Sequence, residues 1–151
     1  MRTRIGLASD HGGFEIKQIL KKRLEEQKYE VVDYGNTRFD SKDDYPDFVL
    51  PLAKAVSGKE VVKGIAICGS GVGASIAANK IAGARAALVH DHFSAHQGVE
   101  DDDMNILCMG GSIIGIEKAK ELAEAFLEAV FSNEERHLRR LKKTQPPETD
   151  Y

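Results

Sequence analysis

Cys68 stands directly before Gly69-Ser70-Gly71-Val72-Gly73, a run of small residues suited to folding around an anion. The segment ahead of it, Val61–Ile67, is apolar and largely β-branched; the segment behind it, Ala74–Lys80, has the composition of a helix start. Small residues let successive backbone N–H groups turn toward one point, and a helix N-terminus adds positive potential there. A thiol in that field leans toward the thiolate. The chemistry open to it is proton transfer beside a carbonyl, with the amides holding the charge that develops. A tight strand-to-helix turn with Cys68 as core filler uses the same glycines, so the loop alone leaves both readings open.

Spacing excludes several other chemistries. A low-molecular-weight phosphatase needs an arginine six positions after its cysteine, where this chain has Ala74. A nucleotide P-loop ends in Gly-Lys-Ser/Thr, whereas Gly73 is followed by Ala74 and Ser75. A dinucleotide fingerprint belongs at the first βα turn, so a nicotinamide role is only a runner-up. Asp10-His11-Gly12-Gly13 also follows a strand and is either an aspartate-capped turn or part of a site. Arg136 and Arg140 stand one helical turn apart and can together grip a phosphate dianion, although such clusters are usually solvated faces. His90, His92 and His96 lie near the acidic run Glu100–Asp103 without the spacing of a zinc site, and read as surface histidines beside a solvated acidic loop. Cys108, between Leu107 and Met109, reads as a small core residue.

The elements that must hold these residues alternate between strand and helix. Strands are predicted at Ile5–Ser9, Val31–Tyr34, Val61–Ile67, Arg85–Val89 and Ile106–Met109. Helical periodicity places Ile16, Ile19, Leu20 and Leu24 on one face, with lysines and glutamates elsewhere. A second helix begins at Pro46 after a polar loop over 36–44, and a third, strongly periodic one covers Gly115–Phe131. Strands apolar throughout imply a parallel sheet covered on both faces. The predicted fold is therefore a Rossmann-like three-layer α/β/α sandwich with a five-stranded parallel sheet and a C-terminal helical arm at 131–143. Residues 1–143 form one domain, and 144–151 a disordered tail. Ligands of such folds bind at the carboxyl ends of the strands, where Asp10-His11, Cys68–Gly73 and the residues around His90–His92 should converge.

At 151 residues the chain can bury a full core, and 42% hydrophobic with 30% charged residues is ordinary for a soluble domain. A net charge of −3 gives no reason to expect a nucleic-acid partner. Two cysteines make no disulfide framework, and no stretch resembles a signal peptide or a membrane span, so a cytoplasmic protein is expected.

Taken together, Ser9–Gly13, Asp44–Asp47, Cys68–Gly73, Ser75–Lys80 and Arg136-His137 with Arg140 resemble the type B ribose-5-phosphate isomerases and the galactose-6-phosphate isomerase subunits. The resemblance runs in order over nearly the whole chain. It implies an aldose–ketose isomerase acting on an open-chain sugar phosphate without metal or other cofactor. It makes Cys68 the base that moves a proton between C1 and C2 through an enediolate, assisted by Ser70. The amides of Gly69, Gly71, Val72 and Gly73 would hold the enediolate oxygens, with Asp10, His11 and Tyr45 around the substrate and Arg136 and Arg140 on its phosphate. It also implies a homodimer with shared active sites, dimer versus tetramer being left open.

This chain departs from the family pattern at two places. Asp101-Asp102-Asp103 replaces His-Asn-Asp, whose histidine opens the sugar ring, and Ser112 replaces an arginine. Asp101, His92 or His96 would inherit the ring-opening role on ribose 5-phosphate, with Asp102 beside the substrate. Alternatively, the substrate is a tetrose 4-phosphate such as erythrulose 4-phosphate, which cannot close a ring. A non-catalytic phosphometabolite-binding module is the rival from another class.

Overall fold

The computed structural model describes residues 1–145. Five strands alternate with six helices: β1 (Arg4–Ser9), α1 (Phe14–Glu26), β2 (Glu30–Asp33), α2 (Pro46–Ser57), β3 (Lys63–Cys68), α3 (Val72–Ala78), β4 (Ala86–Leu88), α4 (His92–Asp102), β5 (Ile106–Gly110), α5 (Ile116–Glu128) and α6 (Glu135–Lys143). The strands form one sheet in the order β2-β1-β3-β5-β4, with every pairing parallel.

The sequence pattern explains the layers. Along β1 and β3, Ile5, Leu7, Ile65 and Ile67 point to one face, where Ile16, Leu20 and Leu24 of α1, Val99 of α4 and Phe126 of α5 cover them. Ala8, Ala66 and Cys68 point to the other face, under Val49, Leu52 and Val56 of α2 and Ala74 and Ala78 of α3. Strands buried on both faces need no polar alternation, which is why they read as continuous apolar runs. The predicted five-stranded, three-layer architecture is the one found.

Three details differ from expectation. The acidic loop predicted around Glu100–Asp103 is the end of helix α4. That helix buries only Ala95 and Val99, too thin a stripe to announce itself, and starts where the Asp91 side chain accepts a hydrogen bond from the Ser94 N–H. Lys17, expected on the outer face of α1, is fully buried and bonds Asp33 through Nζ at 2.6 Å. Thr144, assigned to the tail, instead closes α6, its N–H donating to the Leu141 carbonyl at 3.1 Å. The rest of the expected tail, 146–151, lies outside the described residues.

The order of the strands decides where a ligand can sit. The chain runs from β1 outward to β2, then returns past β1 to β3 and builds the sheet in the other direction. A crevice opens at such a reversal, outside the carboxyl ends of β1 and β3. The loops that leave those two ends carry Asp10-His11 and Cys68–Gly71.

Candidate active site

Three loops lie against one another at the carboxyl edge. After β5, Gly111 N–H donates to the Cys68 carbonyl at 2.8 Å and Ser112 N–H to the Gly69 carbonyl at 2.9 Å. From β1, Gly12 approaches so closely that a β-carbon there would fall 2.7 Å from the Gly69 nitrogen and 3.2 Å from Asp10 Oδ1. Asp10 and the glycine loop therefore flank the same small space. On the far side Tyr45 packs on Gly73, where a β-carbon would meet the ring at 2.5 Å. Gly71 has φ +82° and opens α3, a conformation that favours glycine.

Cys68 is 4% exposed, and its Sγ accepts the Gly71 N–H at 3.1 Å. That contact fixes the sulfur at the head of the glycine loop. Cys108 lies on the same face of the neighbouring strand with no exposure, and burial pushes its thiol far up, the Cys68 charge adding to the effect. Ser70 Oγ accepts the Val72 N–H at 3.2 Å, which orients its hydroxyl at the loop.

The Asp10 side chain accepts the Gly12 N–H at 2.8 Å. Burial holds its carboxyl above the ordinary value, with that backbone hydrogen bond opposing. His11 is exposed and tied to Asp43, whose Oδ1 lies 2.7 Å from Nδ1 and 3.0 Å from the His11 backbone nitrogen. In the sequence Asp43 reads only as part of the polar loop over 36–44. The signal that could have found it is a second aspartate immediately before Asp44-Tyr45-Pro46. Asp10, His11 and Asp43 are the one group of three among the described residues whose ligand atoms gather within 4.8 Å. The facing atoms of His11 and Asp43 already satisfy each other. His90 reaches the same edge as expected and accepts the Gly110 N–H at 2.9 Å, a structural bond.

Four predicted residues are not brought to Cys68 within one chain: Asp101, Asp102, Arg136 and Arg140. The reason is topological. Helix α4 leaves the carboxyl edge and returns the chain to the amino edge, where Asp103 bonds Arg85 at the start of β4. There Asp101 accepts from Gln97 Nε2 at 2.8 Å and lies 3.4 Å from His137 Nε2. Asp102 lines a cavity of about 650 Å³ together with Lys80, Arg85, Met104 and Leu141, remote from the sulfur. His137, 4% exposed, anchors α6 to this end through Ser132 Oγ at 2.6 Å and Asp101. Arg136 and Arg140 project from the exposed side of α6, Arg136 pairing with Glu134 at 2.9 Å. The four residues thus gather around one corner, separate from the sulfur. His92 and His96 pair with Glu121 and Glu100 at 3.3 and 3.0 Å.

The profile of the Ribose/Galactose Isomerase family matches residues 5–144. Ribose-5-phosphate isomerase B of Escherichia coli is 40% identical over 139 residues, 92% of each chain. The solved ribose-5-phosphate isomerase B of Clostridium thermocellum superposes with a TM-score of 0.89 at 41% identity, covering 93% of this chain and 94% of that one. The Mycoplasma genitalium enzyme, solved with bound ribulose-5-phosphate, gives a TM-score of 0.89 at 38% identity, over 95% of this chain and 94% of that one. Among the described residues, no helix is long and apolar enough to cross a membrane.

Proposed function

The chain belongs to the ribose/galactose isomerase family, and from that premise we propose that it interconverts an aldose phosphate and its ketose, of the ribose 5-phosphate and ribulose 5-phosphate type. The observation that carries the reading is the Cys68 sulfur, held by an amide at the mouth of a glycine loop in the crevice beside Asp10. As thiolate, Cys68 takes the proton from C2 of the open-chain aldose. The electron pair moves into the C1–C2 bond, and the carbonyl π pair moves onto O1. Passage of the O2 hydroxyl proton to O1 and return of the carbon-bound proton to C1 restore the thiolate and leave a carbonyl at C2. The loop's backbone N–H groups other than those of Gly71 and Val72, which serve Cys68 Sγ and Ser70 Oγ, hold the oxygens between the two transfers together with the Ser70 hydroxyl. Asp10, at the edge of the same crevice, relays the hydroxyl proton from O2 to O1 between the two transfers. Tyr45 walls the pocket.

The phosphate grip comes from a second copy. Arg136 and Arg140 cannot serve their own Cys68 from the amino edge. An isologous dimer that sets one copy's α6 against the other's glycine loop would supply both arginines to both sites. The exposed side chains Val72, Ile76, Leu88 and Phe93, around that loop, give such a contact apolar area.

A tetrose 4-phosphate remains the second reading, and one observation favours it: Asp101 is not brought to Cys68 within one chain, and its Oδ2 already accepts from Gln97. A carboxyl so occupied is a poor donor to a ring oxygen. The test is an isomerisation assay on ribose 5-phosphate and erythrulose 4-phosphate, with Cys68→Ala as control. A higher kcat/KM on the pentose ends the tetrose reading. Binding without turnover on every sugar phosphate would leave a phosphometabolite-binding module.

A further inference from the structure

One oxygen of Asp43 receives His11 twice. The backbone N–H donates to Oδ1 at 3.0 Å, and Nδ1 stands 2.7 Å from the same atom. An ionised carboxylate only accepts, so Nδ1 carries a proton, and Nε2 has no partner among the described residues. The Asp43 side chain is 5% exposed and that of His11 40%, so the anchor is buried while the ring faces outward. Asn36 holds the other Asp43 oxygen through Nδ2 at 3.1 Å. Asn36 is itself pinned, its N–H to the Ser9 carbonyl at 2.7 Å and its carbonyl to the buried Lys17 Nζ at 2.6 Å. The ring edge rests on Phe39, centroids 6.4 Å apart. The orientation of His11 is thereby set from the protein interior.

The charged groups facing His11 are Asp10 from its own turn and Asp43 and Asp40 from the loop before α2; all are acidic. The hydrogen bond that Nδ1 donates to Asp43 is the largest influence on the imidazole; desolvation opposes it, the three negative charges add to it, and the net effect holds the ring above its ordinary value.

We propose that Asp43 is a positioning residue that fixes the His11 ring through Nδ1 and so presents its Nε2–H to an anionic oxygen of the sugar phosphate. The role rests on the isomerase reading above. No proton leaves His11 in the reaction; its charge binds, and Asp43 sets the pH range over which that charge exists. A charge-assisted hydrogen bond is stronger and more selective than one from neutral imidazole.

The test combines Asp43→Asn and Asp43→Glu with two readouts. Long-range 1H–15N spectra follow the His11 ring through a pH titration, and steady-state kinetics give kcat and KM at each pH. The wild-type ring is expected to titrate above about 6.5, with Nδ1 protonated throughout. In Asp43→Asn the midpoint falls, and in Asp43→Glu it moves back toward wild type. At pH values between the two midpoints, KM of Asp43→Asn rises about tenfold or more while kcat holds. An unmoved His11 midpoint, a wild-type ring lacking the Nδ1 proton, or a fall in kcat at constant KM overturns the proposal. The wild-type spectrum decides the tautomer even if both variants fail to fold. Absence of isomerase activity overturns the functional reading instead, because the spectra require no turnover.

Discussion

Lys17→Met removes a buried cation that Lys21 can replace only in part. Lys17 is fully buried, and its Nζ donates to Asp33 Oδ1 and to the Asn36 carbonyl, both at 2.6 Å. Burial lowers the Lys17 amine below its ordinary value and the Asp33 partner opposes that, so the pair balances desolvation against contact. Without the cation, the Asp33 side chain, 9% exposed, keeps the Gly35 N–H at 2.9 Å and a Lys21 amine 3.9 Å away. Breaking a buried pair from one side costs about 3–5 kcal/mol. Lys21 and the apolar methionine place this case near the lower limit, about 3 kcal/mol. For a chain of this size that corresponds to a fall of about 6–12 °C in Tm. Urea unfolding followed by circular dichroism measures it, and Lys17→Met/Asp33→Asn should recover part of the loss through a measurable coupling energy. A cost below about 1 kcal/mol, the range of exposed pairs, would refute the reasoning that this ion pair is desolvated.

Two further outcomes are expected. Asp43 is lowered despite burial, which alone would raise it, because hydrogen bonds from His11 and Asn36 outweigh that effect; His11 is raised. The Asp43 contribution to stability is therefore present above its unfolded value of 3.8 and lost as pH falls through its folded value, while that of His11 is full below 6.5 and lost as pH climbs through its own. The urea-midpoint gap between wild type and Asp43→Asn should be widest between those limits and shrink at alkaline pH; a gap independent of pH contradicts the pairing. If sites are shared between two copies, Cys68→Ala and Arg136→Ala/Arg140→Ala, each inactive alone, should on refolding together recover about a quarter of wild-type activity through hybrid dimers. No recovery from hybrids shown to have formed would place arginines and sulfur on the same chain.

The strands and the glycine loop were legible because their cause is local. An apolar run ending in small residues has few alternatives once helices flank it. Asp10, Cys68 and Gly73 converge as expected because parallel topology sends every strand end to one edge, and Tyr45 meets Gly73 from the start of α2. Helix α4 was not legible, since only Ala95 and Val99 mark its buried side. Lys17 was misplaced because an amphipathic count puts every lysine outside, and its partner Asp33 lies on another element. Asp43 was missed for the same reason: its hydrogen bond to His11 spans 32 positions. Asp101 and the α6 arginines show a different limit. Motif matching names them, but a helix crossing back to the amino edge separates them from the sulfur of their own chain.

Proton transfer by the Cys68 sulfur is tested most directly by exchange. Sugar phosphate equilibrated with the protein in D2O should take up deuterium at C1 of the ketose and C2 of the aldose, followed by NMR. Cys68→Ala, folded and still binding the sugar, is expected to slow that uptake by about 10²–10⁴-fold. Uptake by Cys68→Ala at the wild-type rate would show that another group moves the proton.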